Sequence, residues 1–403
     1  MVVHLSYSDV HGGAAIAASR HCEAMIRAGI DSKLVILEKS GSNSYAETPF
    51  IGLNKLKIAL NKKISIKESS FVNSSGTFSG FSRGFDFAGI ETVREADLIV
   101  LHWINGDMLS VRGVEKILEL GKPTVWYLHD MFPITGGCHY SFDCNGYTGD
   151  CSNCPVVHGK YCSKLPFRIL SSKIRHLRKY DNLVFAGPSR WITGCASSSS
   201  LASGHKCVCF PNVLDTDKFK PLPFPTKSLF GLDEGKKTIM FGATAVISSY
   251  KGAEYIRALL ECLDPSKYEC LIVGHIDGDY FKSNNITIRQ TGFLRDDISL
   301  VAAYNACDTI LVPSLADNYP NMILEAMACG KPCVGFNTGG IPDLVRHGES
   351  GYLCSEKSTE SLKQGLEYIF DSEERYEELS ESARRQMVAN NSYSRNLTEI
   401  FNQ

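Results

Sequence analysis

The sequence predicts an α/β protein built from two doubly wound, Rossmann-like domains. Three observations support this prediction. With 403 residues the chain exceeds one ordinary domain. It opens on a strand, a Gly12-Gly13 turn, an amphipathic helix and a second strand at 32–37, the order that begins a doubly wound sheet. Four prolines between 211 and 225 then mark a linker to a second series of strands and helices.

The Gly12-Gly13 turn follows the first strand directly. Glycines at this place let the backbone come close to a ligand, although tight strand–helix turns also use them for geometry alone. The pair does not form the Gly-x-Gly-x-x-Gly pattern of dinucleotide-binding proteins. We therefore predict no nicotinamide site here.

Polar residues close two further strands of the first half. The segments 96–103 and 124–130 are typical of parallel strands; His102 ends the first, and His129 and Asp130 end the second. Because the carboxyl ends of strands in an open α/β sheet face the ligand crevice, we expect these side chains to converge on a site. His129 could instead only cap its strand through a backbone contact. For His102 a structural role is as plausible as a functional one.

A cysteine-rich segment follows, with Cys138, Cys144, Cys151 and Cys154, and with His158 and Cys162 close by. Cys-x-x-Cys is the usual half of a tetrahedral zinc site, so the first four cysteines are candidates for a structural zinc. The spacing between Cys138 and Cys144 is longer than the ideal. Two local disulfides, free thiols and a redox role for Cys151 and Cys154 remain alternatives.

The second half repeats the architecture of the first. Strands are predicted at 237–242, 269–274, 287–291, 309–313 and 333–336, separated by helical patterns. After residue 359 the chain is acidic and helical. This succession predicts a second doubly wound domain.

The most informative stretch runs from Ser314 to Pro332. Asp317 and Glu325 flank a loop that should turn into a helix near Pro320. The start of a helix presents backbone N–H groups and the positive end of its dipole, which suit a phosphate. A carboxylate on each side of an anion site suits a nucleotide-sugar. The alternative is a buried packing unit with incidental charges, although acidic side chains are seldom buried without a partner.

This stretch resembles the C-terminal motif of the retaining glycosyltransferases of family four: Glu, seven residues, Glu, then Ala-Met-Ala-x-Gly-x-Pro. The resemblance runs over nearly the whole chain, with Asp317 where the family usually has Glu. It implies the GT-B fold, with two Rossmann-like domains facing a central cleft. The implied domains are an acceptor-binding domain at 1–211 with a Cys-rich loop at 136–162, a nucleotide-sugar-binding domain at 212–384, and a C-terminal helix at 385–403 that crosses back to the first domain.

The resemblance also implies roles for individual residues. His129, Asp317 and Lys251 become the candidate catalytic residues, and Lys251 would neutralise the donor diphosphate. Lys251 matches the second member of the family's basic pair; the first, commonly Arg, is replaced by Ala243, for which Arg295 or a helix dipole could compensate. The implied donor-binding residues are Gly12, Gly13, Gly242, Lys251, Gly274, Gly292, Phe293, Leu294, Asp317, Tyr319, Pro320, Asn321, Met322 and Glu325. His102, His129 and Asp130 are expected on the acceptor side.

Composition excludes some classes of protein. The net charge of −2 gives no global field for nucleic acid. No apolar run reaches the roughly 18 residues of a membrane span, and the chain opens on a strand without the regions of a signal peptide. We expect a cytoplasmic protein whose 15 cysteines are mostly reduced. The basic segments 53–67 and 167–180 could touch an inner membrane face, or be solvated helix faces.

Together these patterns predict retaining transfer of a sugar from a UDP- or GDP-sugar to a hydroxyl acceptor. The family-based expectation for the acceptor is a glycan or lipid-linked glycan of surface polysaccharide synthesis. No cofactor is expected for the chemistry, and a structural zinc is the only metal predicted. The alternatives are a nucleotide-sugar epimerase or a phosphorylase on the same fold, or a catalytically inactive sugar-binding or scaffold protein.

Overall fold

A computed structural model describes residues 1–49, 78–157, 164–245, 250–275, 280–281, 285–294 and 296–401. The predictions for the basic segment 53–67, for His158, Cys162 and Arg295 lie outside the described residues. The chain divides into two compact units, one formed by Met1–Pro211 with Ser394–Gln403 and the other by Asn212–Tyr393.

The first unit contains a parallel sheet of seven described strands in the order β3-β2-β1-β4-β5-β6-β7. These strands are β1 (Val2–Ser8), β2 (Ser32–Glu38), β3 (Ala46–Glu47), β4 (Leu98–Leu101), β5 (Thr124–Tyr127), β6 (Leu183–Gly187) and β7 (Cys207–Cys209). The described helices are α1 (Gly13–Arg27), α2 (Glu91–Arg94), α3 (Val111–Leu118), α4 (Leu165–Leu177) and α5 (Arg190–Ser198).

The second unit contains a parallel sheet of six described strands in the order β10-β9-β8-β11-β12-β13. These are β8 (Lys237–Ala245), β9 (Tyr268–His275), β10 (Ile288–Gly292), β11 (Thr309–Val312), β12 (Cys333–Phe336) and β13 (Gly351–Cys354). The described helices are α6 (Ala253–Leu260), α7 (Asp297–Ala306), α8 (Asn321–Ala328), α9 (Ile341–Leu344), α10 (Thr359–Ile369) and α11 (Glu373–Asn391).

Local chemistry explains these elements. Every residue of β4, β5, β11 and β12 is buried, as expected for parallel strands that are covered on both faces. Several helices begin at a serine whose hydroxyl accepts a backbone N–H of the first turn; Ser110 does so for α3, Ser189 for α5 and Ser372 for α11. The prediction of two doubly wound, Rossmann-like domains is confirmed.

Both sheets reverse their order at one place. Strand succession changes direction between β1 and β4 in the first unit, and between β8 and β11 in the second. In open α/β sheets a ligand binds outside the carboxyl ends of the strands at this switch point. The Gly12 turn and His102 follow β1 and β4, whereas Lys251 and Asp317 follow β8 and β11. These four predicted site residues therefore lie at the switch points of the two sheets.

Within the basic segment 167–180, predicted as a solvated or membrane-facing helix face, one residue departs from the prediction while Arg168, Arg175 and Arg178 are exposed. Lys173 of α4 is fully buried. Its ammonium donates to the carbonyl oxygens of Phe132 and Thr135 and lies 3.8 Å from the centroid of the Phe132 ring. Lys179 donates to Glu115. Lys173 is thus a structural tether, because its four-carbon stem reaches the turn after β5, and it cannot contact a membrane.

The C-terminal helix is also placed differently from the prediction of 385–403. Helix α11 spans Glu373–Asn391 within the second unit, and the short 3-10 turn Leu397–Phe401 belongs to the first. Arg384 holds α11 by donating to the carbonyl oxygens of Thr216, Phe219 and Ala328. Among the described residues no helix combines the length and the apolar character needed to cross a bilayer.

Candidate active site

An ion pair lies at the switch point of the second sheet. Lys251 Nζ is 2.6 Å from Asp317 Oδ2, and the Asp317 residue is only 5% exposed. The backbone brings the two together, because the Leu315 N–H donates to the Tyr250 carbonyl oxygen at 2.7 Å. Burial opposes the charge on Lys251, but Asp317 and Tyr250 outweigh it and raise the Lys251 pKa above its usual value. Lys251 is therefore a firmly cationic group at the edge of the sheet.

The loop that carries Asp317 is tightly fixed. The Ser314 hydroxyl donates to Asp317 Oδ2 at 3.1 Å, and the Asn318 N–H lies 3.1 Å from Oδ1. The Gly340 N–H donates to the Asp317 carbonyl oxygen. Gly339 has φ +56°, and a Cβ there would lie 1.9 Å from that same oxygen. Only glycine permits this close approach of the turn after β12.

Glu325 is held by a second polar contact. It lies on α8 and is 5% exposed, and the Tyr304 hydroxyl of α7 donates to its Oε2 at 2.6 Å. The Glu325 carboxylate therefore has a fixed orientation in a buried environment. Its predicted contact with a ribose hydroxyl stays a prediction.

Helix α8 begins where the sequence predicted. Pro320 is its N-cap residue, and a proline side chain cannot accept a hydrogen bond from the first turn. The flanking side chains are held by distant residues: the Asn212 amide donates to Asn321 Oδ1, and the Asn391 amide donates to the Tyr319 hydroxyl. The first turn, which includes Met322, thus has the dipole and the fixed frame that an anion site requires.

The other predicted donor-binding residues occupy the carboxyl ends of neighbouring strands. Gly242 lies in β8, Gly274 in β9, and Gly292 ends β10 with φ +69°. Phe293 is 44% exposed, whereas Leu294 packs against the core of the second unit. Of this pair, Phe293 has the side chain that is open to a planar ligand.

In the first unit the switch point carries a row of histidines. His4 Nδ1 is 2.8 Å from His102 Nε2, and His102 Nδ1 is 2.9 Å from His129 Nε2. His4 and His102 are buried and His129 is half-buried. Burial lowers the pKa of His4 to about 3 and, against the opposing effect of Asp130, that of His129 to about 4. These rings are neutral near pH 7.

Asp130 serves a different set of partners from His129. Its Oδ2 lies 2.6 Å from His139 Nδ1 and accepts the Trp103 indole N–H at 3.2 Å, and its Oδ1 accepts the Phe132 N–H. Burial opposes ionisation, but His139 and these hydrogen bonds outweigh it and lower the Asp130 pKa. Asp130 therefore orders the turn after β5. His129 with His102 and Trp103 lines one small cavity of this unit.

Gly12 is the N-cap of α1 with φ +89°, and Gly13 is the first residue of the helix. The turn is flanked by Asp9, whose carboxylate accepts the N–H groups of Ser40 and Gly41. A Cβ added at Gly12 would meet nothing within 4 Å. The space beside this turn is compatible with the predicted approach of a ligand.

Cys138, Cys144, Cys151 and Cys154 line a single cavity with Tyr147 and Pro166. The Cys144 sulfur accepts the Gly146 N–H at 3.4 Å. Burial and the hydrogen bond with Cys154 raise the pKa of the Cys138 thiol. In the part of the chain that the structure describes, no group of three or more His, Cys, Asp or Glu is arranged to hold a metal ion. The predicted structural zinc is not supported.

Several residues at these sites were not predicted from the sequence. Tyr304 and Ser314 hold the two carboxylates of the second unit, while His4 and His139 hold the polar cluster of the first. His4 sits inside a buried strand and Tyr304 on an apolar helix, so only their contacts reveal their roles. The position of His4 between Val3 and Leu5 of the first strand was the one available signal.

The fold and these sites define a protein of the GT-B class, whose two Rossmann-like units are both present. Residues 227–386 match the family model "Glycosyl transferases group 1". This match falls within the second unit. The predicted resemblance is thereby confirmed.

Individual proteins are also similar to this chain in sequence or in fold. The N-acetyl-alpha-D-glucosaminyl L-malate synthase of Bacillus anthracis is 27% identical over 168 residues, which are 39% of this chain and 42% of that protein. The putative colanic acid biosynthesis glycosyl transferase WcaC of Escherichia coli is 24% identical over 67% of both chains. Anabaena HepE, solved in complex with UDP and glucose, has a TM-score of 0.66 at 16% identity and covers 100% of this chain and 98% of its own. The chain thus spans about two fifths of the length of the malate synthase relative.

Proposed function

We propose that this protein is a retaining glycosyltransferase that moves a sugar from a nucleotide-sugar donor to a hydroxyl acceptor. The observation that carries the proposal is the Lys251–Asp317 ion pair at the switch point of the second sheet. A cation and a carboxylate beside the start of α8 match the two ends of a sugar diphosphate. The match of residues 227–386 to the family model "Glycosyl transferases group 1" supports the same activity.

In this proposal the cation and the two carboxylates of the second unit contact different parts of the donor. Lys251 and the first turn of α8 stabilise the diphosphate and its growing negative charge as the bond to the sugar breaks. Asp317 accepts hydrogen bonds from sugar hydroxyls once the diphosphate takes over Lys251. Glu325, oriented by Tyr304, accepts from the ribose. Catalysis consists of positioning and electrostatic stabilisation, and the leaving phosphate oxygen takes the acceptor proton.

The donor we propose is a UDP-sugar, with GDP-sugars as the second choice. Anabaena HepE was solved with UDP and glucose, and it shares the fold over the full chain. The exposed ring of Phe293, at the end of β10, offers a flat apolar surface for a nucleobase.

The acceptor we propose is a glycan or lipid-linked glycan, bound on the first unit at His129, which His102 and Asp130 adjoin. The relative WcaC is named for colanic acid biosynthesis, a surface polysaccharide. Arg168, Arg175 and Arg178 of the segment 167–180 are exposed and would favour an anionic inner membrane face. We therefore propose a cytoplasmic enzyme at that face.

Nucleotide release from a panel of UDP-, GDP- and ADP-sugars tests the proposal. We expect slow release from one donor, reduced by about 100-fold in Lys251→Ala and Asp317→Ala. Lys218→Ala is the matched control, since Lys218 forms an exposed 2.7 Å pair with Asp297 in the same unit and should leave the rate unchanged. Nuclear magnetic resonance of the product then reports the anomeric configuration.

An absence of both release and binding with every donor would refute the transferase and favour the sugar-binding scaffold. Release of the nucleotide with inverted product configuration would refute only the retaining mechanism.

A further inference from the structure

A continuous line of three imidazoles reaches from inside the first sheet to His129. His4 lies in β1, His102 follows β4 and His129 follows β5, which are neighbouring strands. The rings stack with centroids 5.1 Å apart at both steps, and each step is also a nitrogen–nitrogen contact of 2.8 or 2.9 Å. Chain geometry therefore couples the proton position on one ring to that on the next.

Each contact between neutral imidazoles requires one N–H donor and one bare nitrogen acceptor. The row can therefore run in only two directions. Either His4 donates to His102 and His102 donates to His129, or both hydrogen bonds are reversed. In the first case His129 carries its proton on Nδ1, and in the second on Nε2.

The inner end of the row selects between these directions. His4 Nε2 is buried and has no hydrogen-bond partner among the described residues. The reversed direction would place an N–H at this atom, whereas the forward direction leaves a bare nitrogen. Buried N–H groups without an acceptor are rarer in proteins than under-satisfied acceptors, so the forward direction is favoured.

We propose that His102, anchored by His4, is a positioning residue that fixes His129 in its Nδ1–H tautomer. In an unconstrained histidine the Nε2–H tautomer predominates, and the hydrogen bond at one nitrogen decides which form a protein holds. His129 then presents a hydrogen-bond donor at Nδ1 and cannot act there as a general base.

The consequence for catalysis rests on the proposed function. A protonated Nδ1 removes His129 as a base at that atom. It would leave the uptake of the acceptor proton to the leaving phosphate. The tautomer itself is a property of the protein alone and can be measured without any substrate.

The test is nitrogen–proton correlation spectroscopy on the full-length protein with ¹⁵N-labelled histidines at pH 7. The His129 signals are identified by their loss in His129→Gln. We expect a protonated Nδ1 and a bare Nε2 at His129 in the unmodified protein. A protonated Nε2 with a bare Nδ1 overturns the proposal, whether or not the protein proves to be a glycosyltransferase.

Two substitutions separate positioning from simple packing. His102→Phe keeps a stacked ring but removes the donor, and we expect His129 to revert to mainly Nε2–H. His102→Asn can supply an amide N–H near the former Nδ1 and should retain the Nδ1–H form. His205→Gln, outside the row, should leave the His129 signals unchanged. An unaltered tautomer in a folded His102→Phe variant would show that His102 does not position His129.

Discussion

At the scale of single residues, the Asp317 carboxylate is confined by three neighbours. Lys251, the Ser314 hydroxyl and the Asn318 N–H all contact it, and the turn at Gly339 packs on its carbonyl oxygen. The family usually has Glu at this position. The shorter Asp side chain suits the short Lys251 contact, so the departure is matched by its surroundings.

Restoring the family residue should therefore be unfavourable. Asp317→Glu adds a methylene to a buried, packed position, which typically costs about 1–3 kcal/mol. We expect a lower midpoint in urea unfolding and a loss of nucleotide release. Asp297→Glu, at the exposed pair, is the control and should be neutral. An unchanged midpoint in Asp317→Glu would show that the loop can make room.

The Tyr304–Glu325 hydrogen bond is a second residue-scale determinant. Tyr304→Phe leaves one oxygen of a buried carboxylate without its donor, which should cost about 1.5–3 kcal/mol in unfolding free energy. Tyr352→Phe, whose ring packs between His347 and Tyr368, should change it by less than about 0.5 kcal/mol. If the two variants unfold at the same urea concentration, the Tyr304–Glu325 hydrogen bond does not contribute the expected free energy.

At the scale of elements, the turn after β12 depends on a glycine. Gly339→Ala introduces both a strained φ of +56° and a contact of 1.9 Å with Asp317. Gly204→Ala, at φ +95° with nothing within 4 Å, introduces strain alone. We expect the first variant to lose clearly more stability than the second, whose cost should stay near 1–2 kcal/mol. If thermal unfolding shows the same loss of stability in both variants, backbone strain explains the whole effect and the contact with Asp317 contributes nothing.

Helix α4 is joined to the turn after β5 by Lys173. Burial lowers the pKa of this lysine to about 7, against about 10.4 in an unfolded chain. Between these values the unfolded chain binds a proton that the folded chain has released, so this group makes stability rise with pH. We expect the unfolding free energy of the unmodified protein, relative to that of Lys173→Met, to increase between pH 7 and pH 9.5. If urea unfolding gives the same pH dependence of the unfolding free energy for both proteins, the lowered Lys173 pKa is contradicted.

At the scale of the whole molecule, ligand binding should be visible as stability. A nucleotide that binds only the folded protein stabilises it by about 2.7 kcal/mol at 100 times its dissociation constant. We expect UDP to raise the melting temperature of the unmodified protein and of Lys218→Ala. The rise should be much smaller in Lys251→Ala, which lacks the cation for the diphosphate. Equal shifts in all three proteins would remove Lys251 from the donor site.

Much of the architecture was predictable from the sequence. Buried apolar runs that alternate with helical patterns predict two parallel sheets, and polar residues at strand ends mark their carboxyl edges. The start of α8 near Pro320 was also predicted correctly. These features are local, because a strand, a turn or a helix start is specified by residues close to one another in the chain.

Contacts across the sheet could not be predicted in the same way. Lys251 and Asp317 are 66 positions apart, and His4 and His102 are 98 apart. They meet only because strand order places β8 beside β11 and β1 beside β4. Lys173 was expected on the helix surface because a lysine ammonium is usually hydrated. Its two carbonyl acceptors, Phe132 and Thr135, lie 41 and 38 positions earlier in the chain.

The sequence by itself determined the two-domain α/β architecture and the resemblance of its second half to a family of glycosyltransferases. The tertiary structure alone decided which charged and polar groups are partners: Lys251 with Asp317, Tyr304 with Glu325, His4 with His102, and His102 with His129. The physical reason is that periodicity reports which face of an element is buried. The partner of a buried polar group depends on which element packs against that face.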